Sequence, residues 1–190
     1  MPRPRRRALA AAAVAAVVAT GLWAEPAQAE LQPGAKAPDF AIDATLGGKP
    51  FKFVLAEALQ RGPVVLFFYP KAFSSGCTIE ANAFAAASGD YTALGATVIG
   101  VSGDDIETLN RFSVSECRSA FAVGADRGGR VMKAYDAAMP YNENFAKRIS
   151  YVISPQGRIT YAFESRGPDQ HVPNTLAALR ALVGEPAARR

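Results

Sequence analysis

Residues 64–78, which read VVLFFYPKAFSSGCT, predict both the fold class and the position of the reactive residues. The first six residues, Val64–Tyr69, are all β-branched, aromatic or leucine, and Pro70 ends the run. An apolar run without alternation is typical of a strand that is buried on both faces of a covered sheet. We predict a loop over residues 71–76 and a helix over Cys77–Ala87. The apolar stripe of that helix is predicted to comprise Ile79, Ala83, Phe84 and Ala87.

Strand and helix patterns alternate on both sides of this stretch. An N-terminal β-hairpin is predicted from residues 40–44 and 51–54, which flank the turn residues Gly47 and Gly48. Further strands are predicted at 96–101, 121–123, 149–154 and 158–164, with helices at 56–60, 104–117, 131–136 and from His171 onward. Asp104 and Asp105 are predicted caps of the second of these helices. This order predicts one α/β domain, a three-layer sandwich with helices on both faces of a central sheet.

The N-terminus has the pattern of a secretory signal peptide. Four arginines lie in the first seven residues, the next sixteen residues carry no charge, and small residues occupy Ala27-Gln28-Ala29. The uncharged run is shorter than the ~20 residues that a bilayer crossing needs. We therefore predict a cleaved signal peptide over residues 1–29 and a mature domain over residues 30–190. The destination is then the periplasm or the outside of the cell, without membrane attachment after cleavage.

Charge and composition exclude several classes of function. The whole chain has 21 Lys and Arg against 17 Asp and Glu, but residues 1–29 contain four of the arginines and Glu25. The predicted mature chain is thus nearly neutral, which argues against nucleic-acid binding. Two cysteines and one histidine are too few for a disulfide-rich scaffold and are poor material for a zinc site. No metal and no cofactor is expected.

Cys77 is the candidate nucleophile. It follows the carboxyl end of a buried strand, where ligand sites of open α/β sheets lie. It would also lie in the first turn of its helix, near unpaired backbone N–H groups and the positive end of the helix dipole. That position stabilises a thiolate. Outside a motif, however, a buried cysteine is more often an inert packing residue.

The spacing of Pro70, Ser74 and Cys77 resembles the peroxidatic signature of peroxiredoxins. The longer stretch 64–80, VVLFFYPKAFSSGCTIE, is similar to the peroxiredoxin Q group, also called bacterioferritin comigratory protein. The resemblance extends over nearly all of the mature chain and includes residues 134–136, 148–159 and the helix of His171. It implies a thioredoxin-like fold with a central mixed sheet and an antioxidant, thioredoxin-dependent type of peroxide reductase.

The resemblance also implies a role for each motif residue. Cys77 would attack the peroxide O–O bond and become a sulfenic acid. Pro70 would shield the thiolate from water, and the Ser74 hydroxyl would hydrogen-bond the peroxide. Arg148 would hold Cys77 as a thiolate and orient the peroxide. Glu80 would take part in substrate binding or orient Arg148. Without the motif, Ser74 is a turn or cap residue, Arg148 a solvated residue and Glu80 a dipole partner.

The second thiol is the main departure from the group's pattern. Many members have a resolving cysteine five residues after the peroxidatic one, and here that position is Asn82. Cys117, the only other cysteine, is a match for members that place the resolving cysteine in the following helix. Three interpretations stay open: Cys117 resolves Cys77 as an intramolecular disulfide, it is a bystander in a one-cysteine peroxidase, or it forms a permanent structural bridge. The last would suit a non-catalytic binding module of thioredoxin fold.

Partners and competing reactions are less constrained. A Cys–His hydrolase could use Cys77, His171 and Asn174, but this leaves Arg148 and Ser74 unexplained. His171 is otherwise expected to be an exposed residue at the start of the last helix. The reductant would be an exported thioredoxin-like protein or another thiol, the substrate hydrogen peroxide or an organic hydroperoxide, and the protein a monomer.

Overall fold

A seven-stranded mixed sheet forms the centre of the protein. A computed structural model describes residues 31–184, so the predicted signal peptide over residues 1–29 and the last six residues lie outside the described range. The strands are β1 (Ala41–Leu46), β2 (Lys49–Val54), β3 (Val64–Phe68), β4 (Thr97–Ser102), β5 (Ala122–Ala125), β6 (Ala138–Met139), β7 (Asn142–Ala146), β8 (Ile149–Ile153) and β9 (Ile159–Glu164). The helices are α1 (Leu55–Leu59), α2 (Ser75–Ala86), α3 (Ser88–Ala93), α4 (Ile106–Ser115), α5 (Arg130–Ala134) and α6 (His171–Val183).

The strand order β2-β1-β5-β4-β3-β8-β9 confirms the predicted mixed sheet and N-terminal hairpin. β3 and β4 run parallel, as do β4 and β5, whereas the pairs β1–β5, β3–β8 and β8–β9 are antiparallel. β6 and β7 form a separate small hairpin. β3 is therefore an inner strand whose carboxyl end meets the start of β8 in register, with Phe68 opposite Ile149.

Helices cover both faces of the sheet, as predicted for a three-layer sandwich. All five residues of β3 are buried, with Leu66 in one core cluster and Phe67 in the other. Helices α1 and α5 contribute residues to the first cluster, on one face of the sheet. Helices α2, α3, α4 and α6 contribute residues to the second cluster, on the other face. The alternation of β3 side chains between two apolar layers explains why its sequence shows no polar face. None of the helices in residues 31–184 is long and apolar enough to cross a membrane.

Two features of the fold differ from the sequence-based prediction. α2 begins at Ser75, and Ile79 is 55% exposed; the buried face comprises Cys77, Glu80, Ala81, Phe84 and Ala85. Phe84 of the predicted stripe is buried as expected, but Ile79 is not, because the buried face of the first turns contains Cys77 and the carboxyl group of Glu80. α3 and the β6–β7 hairpin were not predicted, since SGDYTA and AAMPYNENFA lack clear helical or strand periodicity.

The ring of Phe67 packs closely against Gly100 of β4. Gly100 is the register partner of Phe67, and the Phe67 ring stacks on Phe84 with centroids 4.1 Å apart. A Cβ atom on Gly100 would fall 2.6 Å from Cζ of Phe67. We expect Gly100→Ala to lower the free energy of unfolding by ~1–3 kcal/mol, because overpacking forces the rings apart. Denaturant unfolding measures this change.

Gly89→Ala is the matched control for this prediction. Gly89 lies in α3, and a Cβ there meets nothing within 4 Å. This substitution should leave stability unchanged or raise it by up to ~1 kcal/mol. Equal stability of Gly100→Ala and the wild type would contradict the packing described for Phe67.

Candidate active site

Cys77 is the third residue of α2, in the first turn as predicted. Ser74 is the N-cap residue in extended conformation, and its side chain makes no cap hydrogen bond to the helix. The first backbone N–H groups of α2 therefore receive no hydrogen bond from this side chain. The thiol itself is only 1% exposed. The sulfur thus lies near the positive end of the helix dipole, which favours an anion, and little water is present to compete for hydrogen bonds with it.

The loop before α2 is held in a strained conformation. Phe73 has φ of 63°, in the left-handed region that a bulky residue seldom adopts. Its ring is edge-on to Phe112 of α4, with centroids 5.2 Å apart. Asp104 accepts a hydrogen bond of 2.7 Å from the backbone N–H of Ala72 and another of 2.8 Å from the Ser102 hydroxyl. The β4–α4 connection therefore anchors the loop that precedes Cys77.

Asp104 and Asp105 have different functions in this structure. Asp105 caps α4 as predicted, because its Oδ1 accepts from the backbone N–H of Thr108 at 2.7 Å. Asp104 instead fastens the loop of Ala72. Its spacing from Cys77 in the sequence offers no signal for this contact.

Arg148 brings a cation to the thiol. It directly precedes β8, and its Nη2 donates to Sγ of Cys77 at 3.5 Å. Nε donates to the backbone carbonyl of Arg166 at 3.2 Å, and Nη1 donates to the Glu80 carboxylate. The three contacts orient the guanidinium, which is 8% exposed. The structure thereby brings Arg148, about 70 residues away in the sequence, to Cys77 and Glu80 of α2.

Glu80 carries an acidic group into the core behind Arg148. Its side chain is 0% exposed and lies one helical turn after Cys77. Burial raises the pKa of Glu80 to about 8, although the charge and hydrogen bond of Arg148 oppose the increase. Because Arg148 lies between Glu80 and the thiol, the geometry favours an effect of Glu80 through Arg148 over direct contact with a substrate.

His171 is buried rather than exposed, so the prediction of an exposed residue was wrong. It is the first residue of α6, where Nδ1 contacts the Ser150 hydroxyl at 2.8 Å and Nε2 the Ser165 carbonyl at 3.3 Å. Burial lowers the pKa of His171 to about 4; the Ser165 carbonyl opposes this, and the charge of Arg148 adds to it. With both ring nitrogens engaged elsewhere, His171 is not the base that a Cys–His hydrolase needs.

Ser74 and Pro70 border the site. The Ser74 hydroxyl donates to the Lys71 carbonyl at 2.9 Å and is exposed, so its lone pairs face solvent. Pro70 is half-buried directly after β3. Ser74 is thus a turn and cap residue, as the simpler interpretation expected, and its oxygen is also able to accept a hydrogen bond from a bound molecule.

Cys117 lies beyond the end of α4 and is fully buried. Both cysteines are free thiols in the same apolar layer, so the permanent structural bridge is not present in this structure. Burial raises the pKa of Cys117 well above its ordinary value, and the charge of Glu116 contributes. Arg118 and Ser119, the next two residues, have φ values of 50° and 55°. Cys117 is therefore protonated and unreactive in this conformation, beside a strained turn.

Asn82 connects α2 to the segment that contains Cys117. Its Nδ2 donates to the Thr78 carbonyl at 2.9 Å and to Glu116 at 3.4 Å, and its Oδ1 accepts from Nε of Arg118 at 3.0 Å. The residue that replaces the group's usual resolving thiol thus contacts both neighbours of the other cysteine.

A cavity of about 270 Å³ adjoins Arg148. Its lining includes Met139, Pro140 and Tyr141 of the β6–β7 region together with Lys147 and Arg166. The cavity was missed because the β6–β7 hairpin was not predicted. Within residues 31–184, no group of three His, Cys, Asp or Glu side chains could hold a metal ion.

Known proteins match the chain in sequence and in structure. The AhpC/TSA family matches residues 33–162. Peroxiredoxin Q, chloroplastic, of Triticum aestivum is 30% identical over 182 residues, covering 95% of this chain and 76% of the wheat protein. Among solved structures, peroxidoxin BcpB from Mycobacterium tuberculosis is 27% identical with a TM-score of 0.73, covering 80% of this chain and 98% of that one. Peroxiredoxin Q of Xanthomonas campestris is 26% identical with a TM-score of 0.66, covering 75% and 91%.

A substitution at Gly76 tests whether the contact of Arg148 with the Cys77 sulfur activates the thiol. A Cβ atom on Gly76 would fall 3.0 Å from Nη2 of Arg148. We expect Gly76→Ala to displace the guanidinium and to slow the alkylation of Cys77 by iodoacetamide at pH 7 roughly tenfold, because small displacements weaken a charged contact strongly. Gly89→Ala should alkylate at the wild-type rate. An unchanged rate in Gly76→Ala would show that Arg148 does not activate the thiol.

Glu80 should make stability depend on pH. Its folded pKa of about 8 lies above the ordinary value of 4.5, so its contribution is fully present below pH 4.5 and is lost as pH rises through 8. The free energy of unfolding of the wild type, relative to Glu80→Gln, should fall over this range by on the order of 4 kcal/mol. Denaturant unfolding of both proteins from pH 4.5 to 8.5 measures this. A difference that rises with pH would mean that Arg148 keeps Glu80 ionised throughout.

Proposed function

Since the chain belongs to the AhpC/TSA family and is a peroxiredoxin, a thiol-dependent peroxidase, we propose that Cys77 is its peroxidatic cysteine. The contact of 3.5 Å between Arg148 and Sγ of Cys77 carries this proposal. It pairs a permanent cation with a thiol that is buried in the first turn of α2. The cation and the helix N-terminus both favour a negative charge on the sulfur, and the thiolate is the nucleophilic form of cysteine.

The reaction begins with attack of the Cys77 thiolate on one peroxide oxygen. An S–O bond forms, the O–O bond breaks, and sulfur is oxidised to sulfenic acid while the leaving oxygen takes up a proton. The Arg148 guanidinium stabilises the negative charge as it moves from sulfur to the leaving oxygen. Ser74 accepts the peroxide O–H, since its own proton is donated to the Lys71 carbonyl. Pro70 limits the access of water at the mouth of the site.

Cys117 resolves the sulfenic acid in this proposal. Its sulfur attacks Sγ of Cys77, an intramolecular disulfide forms and water leaves. Both thiols lie in one apolar layer. Cys117 also precedes two residues with left-handed backbone, and release of that strain would help the Cys117 segment to rearrange. A disulfide requires the two Cα atoms to lie within ~7 Å. Because Cys117 is fully buried, we expect the end of α4 to open as its sulfur approaches Sγ of Cys77.

The proposal extends to substrate, reductant and location. We propose hydrogen peroxide as a substrate, and the cavity beside Arg148, with Met139 and Tyr141 in its wall, supports organic hydroperoxides as well. An exported thioredoxin-like protein or another thiol would reduce the disulfide. The N-terminal pattern of residues 1–29 supports export to the periplasm or the medium. The exported protein is proposed to be a monomer.

The deciding experiment is a thiol titration with intact mass before and after one equivalent of hydrogen peroxide. The fully reduced exported protein should start at Glu30 and lose both thiols without gaining oxygen. Cys117→Ser should consume the first equivalent at the wild-type rate and gain one oxygen atom. Cys77→Ser should consume none.

Other outcomes select the alternatives. Gain of one oxygen by the wild type, with one thiol left, would indicate a one-cysteine peroxidase that an external thiol resolves. Survival of both thiols for seconds would contradict the assignment of Cys77. A mass that includes residues 1–29 after export would contradict signal cleavage.

A further inference from the structure

The two oxygens of the Glu80 carboxyl group have different surroundings. Oε2 accepts from Nη1 of Arg148. Oε1 is fully buried, and among the described residues it has no hydrogen-bond partner. Nδ1 of His171 is 3.7 Å away from Oε1. A buried oxygen without a donor costs free energy, so this half of the carboxyl group requires an explanation that the contact with Arg148 does not supply.

The hydrogen bonds of His171 determine which nitrogen bears the proton. Nε2 faces the Ser165 carbonyl, which can only accept, so Nε2 carries hydrogen. In the neutral ring, Nδ1 then presents a lone pair, to which the Ser150 hydroxyl donates. Oε1 of Glu80 lies 3.7 Å from the same Nδ1. A proton on Oε1 could share this lone pair with the Ser150 hydroxyl after a small movement and would give Oε1 the partner that it lacks, whereas an ionised carboxylate would be repelled by the lone pair.

We propose that Oε1 of Glu80 holds a proton directed at Nδ1 of His171 at neutral pH, and that His171 is thereby a positioning residue that keeps the charge of Arg148 available to Cys77. The assignment deepens the proposed function, because it rests on Cys77 as the peroxidatic residue. The proposed state is a pair of neutral groups, the Glu80 carboxyl group and the His171 imidazole, next to the Arg148 guanidinium.

Charge balance explains why such a pair is useful. Arg148 is one cation in contact with both the Glu80 carboxyl group and the Cys77 sulfur. If Glu80 were ionised, two anions would compete for one guanidinium in a medium of low dielectric constant. A protonated Glu80 still accepts from Arg148 through Oε2 but leaves the positive charge to the thiolate.

The surroundings of the pair favour this state. The charged and titratable groups that face it are Arg148, which precedes β8, and Cys77 in α2; β8 adds the neutral Ser150 and the segment after β9 the Ser165 carbonyl. Burial favours the neutral form of both partners, in agreement with the raised pKa of Glu80 and the lowered pKa of His171. The N-terminus of α6 also disfavours a charged imidazole at its first residue.

A single histidine makes the direct test simple. His171 is the only histidine in the chain, so ¹⁵N NMR of the untagged, labelled protein reports its two ring nitrogens without assignment. We expect a neutral ring protonated at Nε2 from pH 5.5 to 7.5. The Nδ1 shift should then change near pH 8, when Glu80 loses its proton, and Glu80→Gln should abolish that change. A charged ring at pH 7, or an Nδ1 shift that ignores Glu80→Gln, would overturn the proposal.

Substitutions test the consequence for the thiol. His171→Phe keeps a ring against Phe163, whose centroid lies 4.9 Å away, but removes the acceptor for the Glu80 proton. Loss of this acceptor removes a hydrogen bond to the protonated carboxyl group, so a larger fraction of Glu80 should ionise at pH 7 although burial still opposes this, and the rate of Cys77 alkylation should fall up to roughly tenfold. Adding Glu80→Gln to His171→Phe should restore the rate, because the amide cannot ionise. Equal rates in the single and double variants would contradict the proposed coupling.

A control separates this effect from damage to α6. Thr175 is buried one turn after His171 and contacts the Tyr91 hydroxyl at 2.7 Å. Thr175→Val disturbs that packing without reaching Glu80, so the alkylation rate should stay at the wild-type value. The NMR measurement on the wild type decides the matter even if His171→Phe does not fold. Absence of peroxide consumption with a normal NMR result would refute the proposed function and leave the proton assignment intact.

Discussion

The contact between Arg148 and Glu80 is the constraint on which the site depends. It joins α2 to the start of β8 inside the protein, with the thiol of Cys77 on the outer side of the guanidinium. With Glu80 protonated, as proposed above, this contact is a hydrogen bond from a charged donor to a neutral carboxyl group. It fixes the guanidinium together with the Arg166 carbonyl, and loss of Glu80 would leave the buried cation with one partner fewer. The thiol is therefore held at a fixed distance from a cation that cannot turn away.

Arg148 can only reach this position because neighbouring residues are small or already engaged. Gly76 leaves room for Nη2 beside the first turn of α2, and the Arg166 carbonyl fixes Nε from the opposite direction. The strained backbone at Phe73 brings α2 to its starting point directly after β3. Strain of about 1–3 kcal/mol in such a loop persists only where the surrounding contacts hold it, as Asp104 and Phe112 do here.

The sequence predicted the central strands and the helix start at Cys77 well, but it predicted poorly which polar side chains are buried around Arg148. β3 was predictable because a strand buried on both faces needs an unbroken apolar run, and Cys77 because a helix start after such a strand is a local feature. His171 was wrongly predicted to be exposed, since hydrophobic patterns assign polar residues to the surface, and the contact of Glu80 with Arg148 was expected only from the family resemblance. Only the tertiary contact with Arg148 makes the burial of Glu80 tolerable, and no spacing along the chain encodes that contact.

The two cysteines differ in a way that follows from their neighbours. Cys77 faces a cation and a helix start, whereas Cys117 lies in apolar surroundings beside Glu116 and is held as a thiol. Asn82 ties α2 to Glu116 and Arg118, the two residues next to Cys117. Under the proposed resolution by Cys117, opening of its segment would break these polar contacts and would also release the left-handed backbone at Arg118. The two effects oppose each other, so in that proposal the lifetime of an oxidised Cys77 would depend on the balance between the Asn82 contacts and the strain of that turn.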